Sequence, residues 1–359
     1  MIAEPAPPLG ADAFARLMAP FEPFESSPVL AVGVSGGRDS LALALLAQDW
    51  AMARRGHVVG LIVDHGLRQE SAAEAARTRQ LLARHGIEAT ILTWSGTKPQ
   101  TGLQEAARSA RYKLLRDECR RRGVLHLLLA HHADDQSETV AMRAARRSGP
   151  DGLAGMAALL EWPEMRLMRP LLGVPRARLT ATLIARGVQW LDDPSNVDLR
   201  FERARLRAGP PLADQATGAE GRAARERALA EAAVDLLEFE QDGRVAIDCD
   251  GFAQQGCDLR ARLLSRLVQA VSGLCYPPRH ARVDVAAARL CQPADRGKSG
   301  RAQDFTLSGC RLMLRQMPQS RRLRWIVRPE SGRNVGQPLV PAAFFGCFAC
   351  GASAASHLK

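Results

Sequence analysis

No uninterrupted apolar stretch in this chain of 359 residues is long enough to cross a bilayer. The first residues, Met1-Ile2-Ala3-Glu4-Pro5, lack the basic and apolar regions of an export signal, so a cytoplasmic protein is expected. Aromatic residues are scarce, at 5%, whereas the apolar fraction is an ordinary 46%, as in a soluble globular protein. Cysteine pairing is nearly missing too. The eight cysteines mostly stand alone among helix or strand residues, where a reduced thiol behaves as a small hydrophobe. Only Cys347 and Cys350 have metal or redox spacing, in a Gly/Ala/Ser/Phe-rich tail with no second pair beside them. Acidic residues are in deficit: 38 Asp and Glu face 49 Lys and Arg, a formal charge of +11. Arg far outnumbers Lys, which suits a polyanionic partner because a guanidinium grips phosphate in bidentate fashion.

Two common nucleotide signatures are also absent, and what stands in their place is more informative. The apolar run Val29-Leu30-Ala31-Val32-Gly33-Val34 leads into Ser35-Gly36-Gly37-Arg38-Asp39-Ser40, and then into an Ala/Leu-rich stretch from Leu41. This reads as a buried strand, a glycine turn and a helix start, where backbone N–H groups gather around an anion. Gly36 and Gly37 let a phosphate approach the backbone, and Ser35 and Ser40 add hydroxyls. A carboxylate beside that anion, Asp39, implies a bridging Mg²⁺. The turn lacks the Lys of a Walker loop and the G-x-G-x-x-G spacing of a dinucleotide fold, so it belongs to neither class.

Strands and helices then alternate. Strands are expected at 29–34, 57–63, 88–94 and 125–130, with helices at 70–84, 102–122 and 135–147. Continuous apolar strands separated by helices predict an α/β fold, a doubly wound parallel sheet covered on both faces. Ligands collect at the carboxyl ends of such strands. The loop after Val63 reads Asp64-His65-Gly66-Leu67-Arg68. The loop after Ala130, from His131 to Thr139, packs His131, His132, Asp134, Asp135 and Glu138 into eight residues. Asp135 and Glu138 share a helix face. The spacing is not that of a zinc protease helix, and beside a phosphate turn Mg²⁺ held by oxygen ligands fits better.

With these residues in view, the stretch from about Val29 to Arg207 resembles the tRNA(Ile)-lysidine synthetases, members of the PP-loop or N-type ATP-pyrophosphatase group whose hallmark is S-G-G-x-D-S. Further motifs match in order: Asp64 to Arg68 with Ser71 and Glu74; Gln104 to Arg108 through Arg111-Tyr112; His131 to Thr139; Arg147 to Met156; Arg169-Pro170-Leu171-Leu172; and Asp193 to Asp198 leading into Phe201-Glu202-Arg203. The resemblance implies an adenine-nucleotide alpha-hydrolase-like fold and a defined reaction. ATP adenylates the C2 oxygen of the wobble cytidine in a tRNA(Ile) with a CAU anticodon. Free L-lysine then displaces AMP.

It further implies that Ser35, Gly36, Gly37, Arg38, Asp39, Ser40, Asp64 and His65 hold ATP, with Asp39 and Asp135 as the Mg²⁺ carboxylates. The implied catalytic residues are Asp39, Arg111, His131, Asp135, Glu138 and Arg203. His131 or Glu138 assists deprotonation of the lysine amine or holds it, two roles the sequence does not separate. Arg111 and Arg203 neutralise phosphate or position the cytidine. Family members commonly carry Asn directly after the equivalent of Arg203, where this chain has Ala204. They are often dimers, which makes a homodimer compatible with the resemblance. S-G-G-x-D-S alone would admit a tRNA thiolation enzyme, but thiolation usually needs a reactive Cys or cluster, and the motif-bearing half holds only Cys119. A non-catalytic tRNA binder would gain nothing from carboxylates facing phosphate.

The expected organisation is an N-terminal segment 1–28, a catalytic domain 29–208, a Gly/Pro-rich linker 209–221, a smaller, mainly helical tRNA-binding domain 222–330 and a disordered tail 331–359. Helical spacing is visible at 222–240, 259–271 and 283–290, with strands at 305–307 and 323–327. A basic run, Arg200, Arg203, Arg205 and Arg207, abuts the last motif and reads as a nucleic-acid face.

Overall fold

A computed structural model describes residues 6–146, 150–162, 165–191, 218–240, 243–273, 277–292, 304–317 and 322–330. The expectations for residues 209–217 of the linker, the tail, Arg203, the basic run around it, Cys347 and Cys350 therefore lie outside the described residues. Residues 218–221 of the expected linker belong to a helix instead. The chain divides into two compact units, Met1–Ala219 and Glu220–Lys359. Among the described residues, no helix is long and apolar enough to cross a membrane.

The first unit is built on a six-stranded sheet. In chain order its elements are α1 (Ala11–Met18), β1 (Val29–Gly33), α2 (Arg38–Met52), β2 (His57–Asp64), α3 (Ser71–Arg84), β3 (Glu88–Thr93), α4 (Leu103–Arg122), β4 (His126–Leu128), α5 (Ala133–Ala145), α6 (Pro150–Leu153), β5 (Leu159–Glu161), β6 (Arg166–Met168) and α7 (Arg176–Ala185). The strand order is β3-β2-β1-β4-β6-β5. All neighbours run parallel except the edge strand β5, which pairs antiparallel with β6.

The side-chain period of two divides each strand between two cores. Leu30 and Val32 of β1 and Leu128 of β4 join α1, α2 and α7 on one face. Ala31 and the neighbouring Leu127 and Leu129 join Leu115 and Cys119 of α4 on the other. The sheet is thus wound on both faces, as the apolar runs require. Helix α2 is buried nearly all round, from Leu41 to Ala47, which is why its sequence shows no polar stripe. Helix α1 lies in the segment read as 1–28 and buries Phe14 and Met18 in the same core. At the far end of α4, hydrogen bonds from Arg121 and Arg122 outweigh burial and hold the Glu118 carboxyl down at about 2. Those arginines serve the fold rather than a phosphate.

The chain leaves β1 to one side of the sheet and returns for β4 on the other, so the gap between the carboxyl ends of β1 and β4 is the topological switch point.

The second unit has its own core. Helices α8 (Gly218–Leu236), α9 (Cys249–Gln254), α10 (Cys257–Ser272) and α11 (His280–Cys291) accompany strands β7 (Leu237–Phe239), β8 (Val245–Asp248), β9 (Phe305–Leu307), β10 (Cys310–Gln316) and β11 (Leu323–Pro329). These strands form an antiparallel sheet in the order β7-β8-β11-β10-β9. Trp325 sits at its centre, with its indole N–H donating to the Leu290 carbonyl. Three of the four helices fall where helical spacing was expected, but the first ends at Leu236, where 222–240 had been read, and α9 was not expected. Of the five strands, only β9 and β11 had been read. In β10 the apolar residues Leu312, Met313 and Leu314 are consecutive between Arg311 and Arg315, so no period of two shows.

Candidate active site

The glycine turn stands where the strand pattern placed it, at the carboxyl end of β1. Gly37 precedes α2 in extended conformation and Asp39 falls in the first helical turn, where the helix dipole favours a carboxylate. The turn is held from within and from outside. Ser40 Oγ lies 3.1 Å from the Ser35 N–H that donates to it, and itself donates to the Gly37 carbonyl at 3.0 Å. The Leu191 N–H donates to the Gly36 carbonyl, at 3.1 Å. Gly36 has φ +85°, and a Cβ there would strike Thr78 Oγ1 of α3. Glycine is required at this position by both conformation and space.

Helix α5 begins directly across the switch point. The N–H of His132, which precedes the helix, donates to Asp135 Oδ2 at 3.2 Å, so Asp135 caps the helix. The His132 ring is buried, and its Nε2 stands 3.5 Å from both Asp39 Oδ2 and Asp135 Oδ2. Burial alone would lower the pKa of His132, but the hydrogen bond to Asp39 and the charges of Asp135, Asp39 and Asp134 outweigh it and raise the pKa. Arg176, at the start of α7, places Nε 3.5 Å from Asp39 Oδ2. The Asp39 carboxyl accordingly sits below its ordinary range: burial opposes ionisation, and His132, Arg176 and Arg38 outweigh it.

Two of the expected metal carboxylates therefore converge on one imidazole, and Asp39 Oδ1 is buried with no hydrogen-bond partner. An orphaned carboxylate oxygen is costly unless something cationic completes it. This donor set fits Mg²⁺, which is usually bound through one or two carboxylates together with substrate phosphates. Among the described residues there is no cluster of three or more ligating side chains that would make an all-protein cage.

The other expected residues fall nearby but do different things. Asp64 is buried at the end of β2, and its Oδ1 accepts from the Gly66 N–H at 2.9 Å, shaping the following loop. His65 packs edge-on against Trp94, and its pKa is lowered by burial and by the charge of Arg111. His65 and Leu67 form one wall of a cavity of about 330 Å³; Gln104, Arg108, Arg111 and Tyr112 of α4 form the other. Arg111 reaches the end of β1, with Nη2 3.8 Å from where a Cβ on Gly33 would lie. Burial and the charges of Arg108 and Arg169 lower its pKa. Tyr112 is also lowered, because Arg169, Arg108 and Arg111 outweigh its burial. The cavity wall is strongly positive. Glu138 is buried on α5 one turn beyond Asp135.

Three contributors were given no site role by the sequence reading. His132, not His131, joins Asp39 to Asp135. Arg176 had no motif to mark it in a chain this rich in arginine. Arg169 was visible only as part of a motif. The motif from Arg147 to Met156 has a positional role where it is described: Gln136 exchanges two hydrogen bonds with the Met156 backbone, at 3.0 and 2.6 Å, and Arg143 donates to the Gly152 and Gly155 carbonyls.

The family model of the PP-loop domain matches residues 11–209. Among curated proteins, the tRNA(Ile)-lysidine synthase of Rhodopseudomonas palustris is 41% identical over 294 residues, 77% of this chain and 84% of that protein. The tRNA(Ile)-lysidine synthase of Methylobacterium sp. strain 4-46 is 39% identical over 345 residues, 90% of this chain and 99% of that protein. Among solved structures, the U34-tRNA thiolase of Methanococcus maripaludis superposes with a TM-score of 0.48 at 17% identity, over 55% of this chain and 70% of the thiolase.

Proposed function

Because the chain belongs to the PP-loop family, and within it to the tRNA(Ile)-lysidine synthases, we propose that it ligates free L-lysine to C2 of the wobble cytidine in a tRNA(Ile) with a CAU anticodon. The reaction uses ATP and passes through an adenylated cytidine, releasing pyrophosphate and AMP. The observation that carries this reading is the meeting of Asp39 and Asp135 on His132 beside a glycine turn at the switch point.

Attack by the cytidine C2 oxygen on the α-phosphorus requires the departing pyrophosphate to be stabilised. The glycine turn and the N-terminus of α2 would supply backbone N–H groups to such a charge, while Ser35 and Ser40 brace the turn through their mutual hydrogen bonds. Mg²⁺, held by Asp39 and Asp135, supplies further neutralisation of the phosphates when bound. Asp64 and His65 help hold the nucleotide, Asp64 by shaping the loop through Gly66 and His65 as part of the cavity wall. Arg111, with Arg203 outside the described residues, neutralises phosphate or positions the cytidine. A lysine amine has an ordinary pKa of about 10.4 and must shed a proton before attacking C2. His131, which precedes α5, or Glu138, in its second turn, would assist this step or hold the amine. A cytoplasmic location and a homodimer complete the proposal.

Lysine-dependent formation of AMP and pyrophosphate with this tRNA tests the reading. AMP formation with a different acceptor, and none with this tRNA, would sink it.

Thiolation is disfavoured by the chemistry of the cysteine in this half. Cys119 is buried on α4, and burial with the neighbouring Glu118 pushes its thiol up to about 12, so no thiolate is available near neutral pH. Cys119→Ala should keep wild-type kcat and lower only stability, by about 1 kcal/mol for the small cavity left. Steady-state assays beside a thermal melt check both halves of that expectation.

A further inference from the structure

Arg169 follows β6 and is only 4% exposed, yet it reaches three separate segments. Its Nε–H donates to His131 Nδ1 at 3.2 Å, and its Nη1 donates to the Ala157 carbonyl at 2.7 Å. It also hydrogen-bonds the Tyr112 hydroxyl on α4. A guanidinium has no acceptor and does not lose its proton in proteins, so the nitrogen facing it must be the unprotonated one. The Nδ1 of His131 therefore carries a lone pair, and in the neutral ring the proton sits on Nε2. With Nδ1 occupied and Nε2 already protonated, His131 has no open site for a further proton.

We propose that Arg169 is a positioning residue that locks His131 into the Nε2–H tautomer. His131 then acts on the substrates as a hydrogen-bond donor, and the proton from the lysine amine goes to Glu138. The inference rests on the lysidine-forming reading and separates two roles that the sequence leaves joined. The proton balance is simple. The lysine ammonium first gives one proton to the Glu138 carboxylate. The neutral amine then bonds to C2 as the C2–O bond breaks. AMP leaves with that bonding pair, and the positive charge gained by the nitrogen stays on the lysidine product. The imidazole N–H stabilises negative charge without transferring its proton. Tyr112 and Ala157 hold the other edges of the guanidinium, so its orientation does not depend on His131.

The test is a long-range ¹H–¹⁵N correlation spectrum of the full chain labelled in histidine, with His131 assigned by its loss in His131→Gln. The wild type should show a neutral His131 protonated on Nε2. Arg169→Gln should give mixed tautomers and lower kcat by roughly tenfold or more, with KM for ATP unchanged within about twofold. Arg169→Lys keeps the charge but loses the fork, and should restore kcat only in part. A wild-type spectrum with the proton on Nδ1 overturns the proposal even if Arg169→Gln does not fold. So does a folded Arg169→Gln enzyme with wild-type kcat. Failure of the wild type to join lysine to tRNA would instead sink the lysidine reading, with the tautomer result intact.

Discussion

Replacing Asp39 by alanine stops pyrophosphate release, by roughly 10²- to 10³-fold or more, and leaves tRNA binding within about twofold of wild type. The asymmetry follows from what surrounds the carboxylate. Asp39 Oδ2 faces His132 and Arg176, and Oδ1 has no partner. Alanine leaves those two positive groups beside the glycine turn, so the local field becomes more favourable to a triphosphate. ATP should still bind, and the loss should appear in kcat rather than in KM. Affinity for tRNA comes from many phosphate contacts spread over basic surface, and one buried carboxylate contributes little to it. Filter binding of tRNA and a pyrophosphate release assay on the same preparation separate the two effects. Loss of tRNA binding with turnover retained would mean the site has been misread.

Gly36→Ala should be nearly as damaging, for a steric reason. At φ +85° a Cβ costs about 1–3 kcal/mol, and here it would also strike Thr78 Oγ1 and lie 3.2 Å from Leu191 Cδ1. The turn must open, which moves Ser35 and Ser40 away from each other and spoils the anion cradle. KM for ATP should rise about 100-fold and the melting temperature should fall by several degrees. Thr78→Ala in the same chain removes the clash but not the conformational strain, so it should recover part of the stability. Gly37→Ala is the sharper companion. Its φ is −72°, and a Cβ would meet nothing closer than Ser35 Oγ at 3.5 Å. Stability should therefore hold, while ATP binding weakens because a methyl group now stands where a phosphate approaches the backbone. Unchanged ATP binding in Gly37→Ala would mean that the phosphate lies elsewhere.

The sequence carries the first unit because its signals are local. Apolar runs bounded by glycine and polar loops gave β1 to β4 and the helices between them, and hence the switch point where Asp39 and Asp135 meet. The hairpin β5–β6 was not legible, since Glu161, Arg166 and Arg169 interrupt its apolar residues, whereas the equally short β4 lies in the unbroken run from Leu127 to Ala130. The larger omissions concern direction. His131 and His132 are adjacent in sequence, but one accepts from Arg169 and the other sits between two carboxylates. Nothing in the order of the letters says which ring turns which way at a strand-to-helix junction. Asp64, expected to bind nucleotide, spends one oxygen on the Gly66 N–H and so builds the loop. Arg176 reaches Asp39 across 137 positions of chain, a contact that only the folded sheet creates.

The central claim is that this site joins lysine to a tRNA base by way of AMP. It is tested most directly by incubating the protein with ATP, isotopically labelled lysine and tRNA(Ile) bearing CAU, then digesting the tRNA to nucleosides for mass spectrometry. The account predicts the label on the wobble cytidine alone, with AMP and pyrophosphate formed in equal amounts to the lysine incorporated, and no label with Asp39→Ala. An unmodified wobble cytidine in the presence of active wild-type ATP cleavage would contradict it.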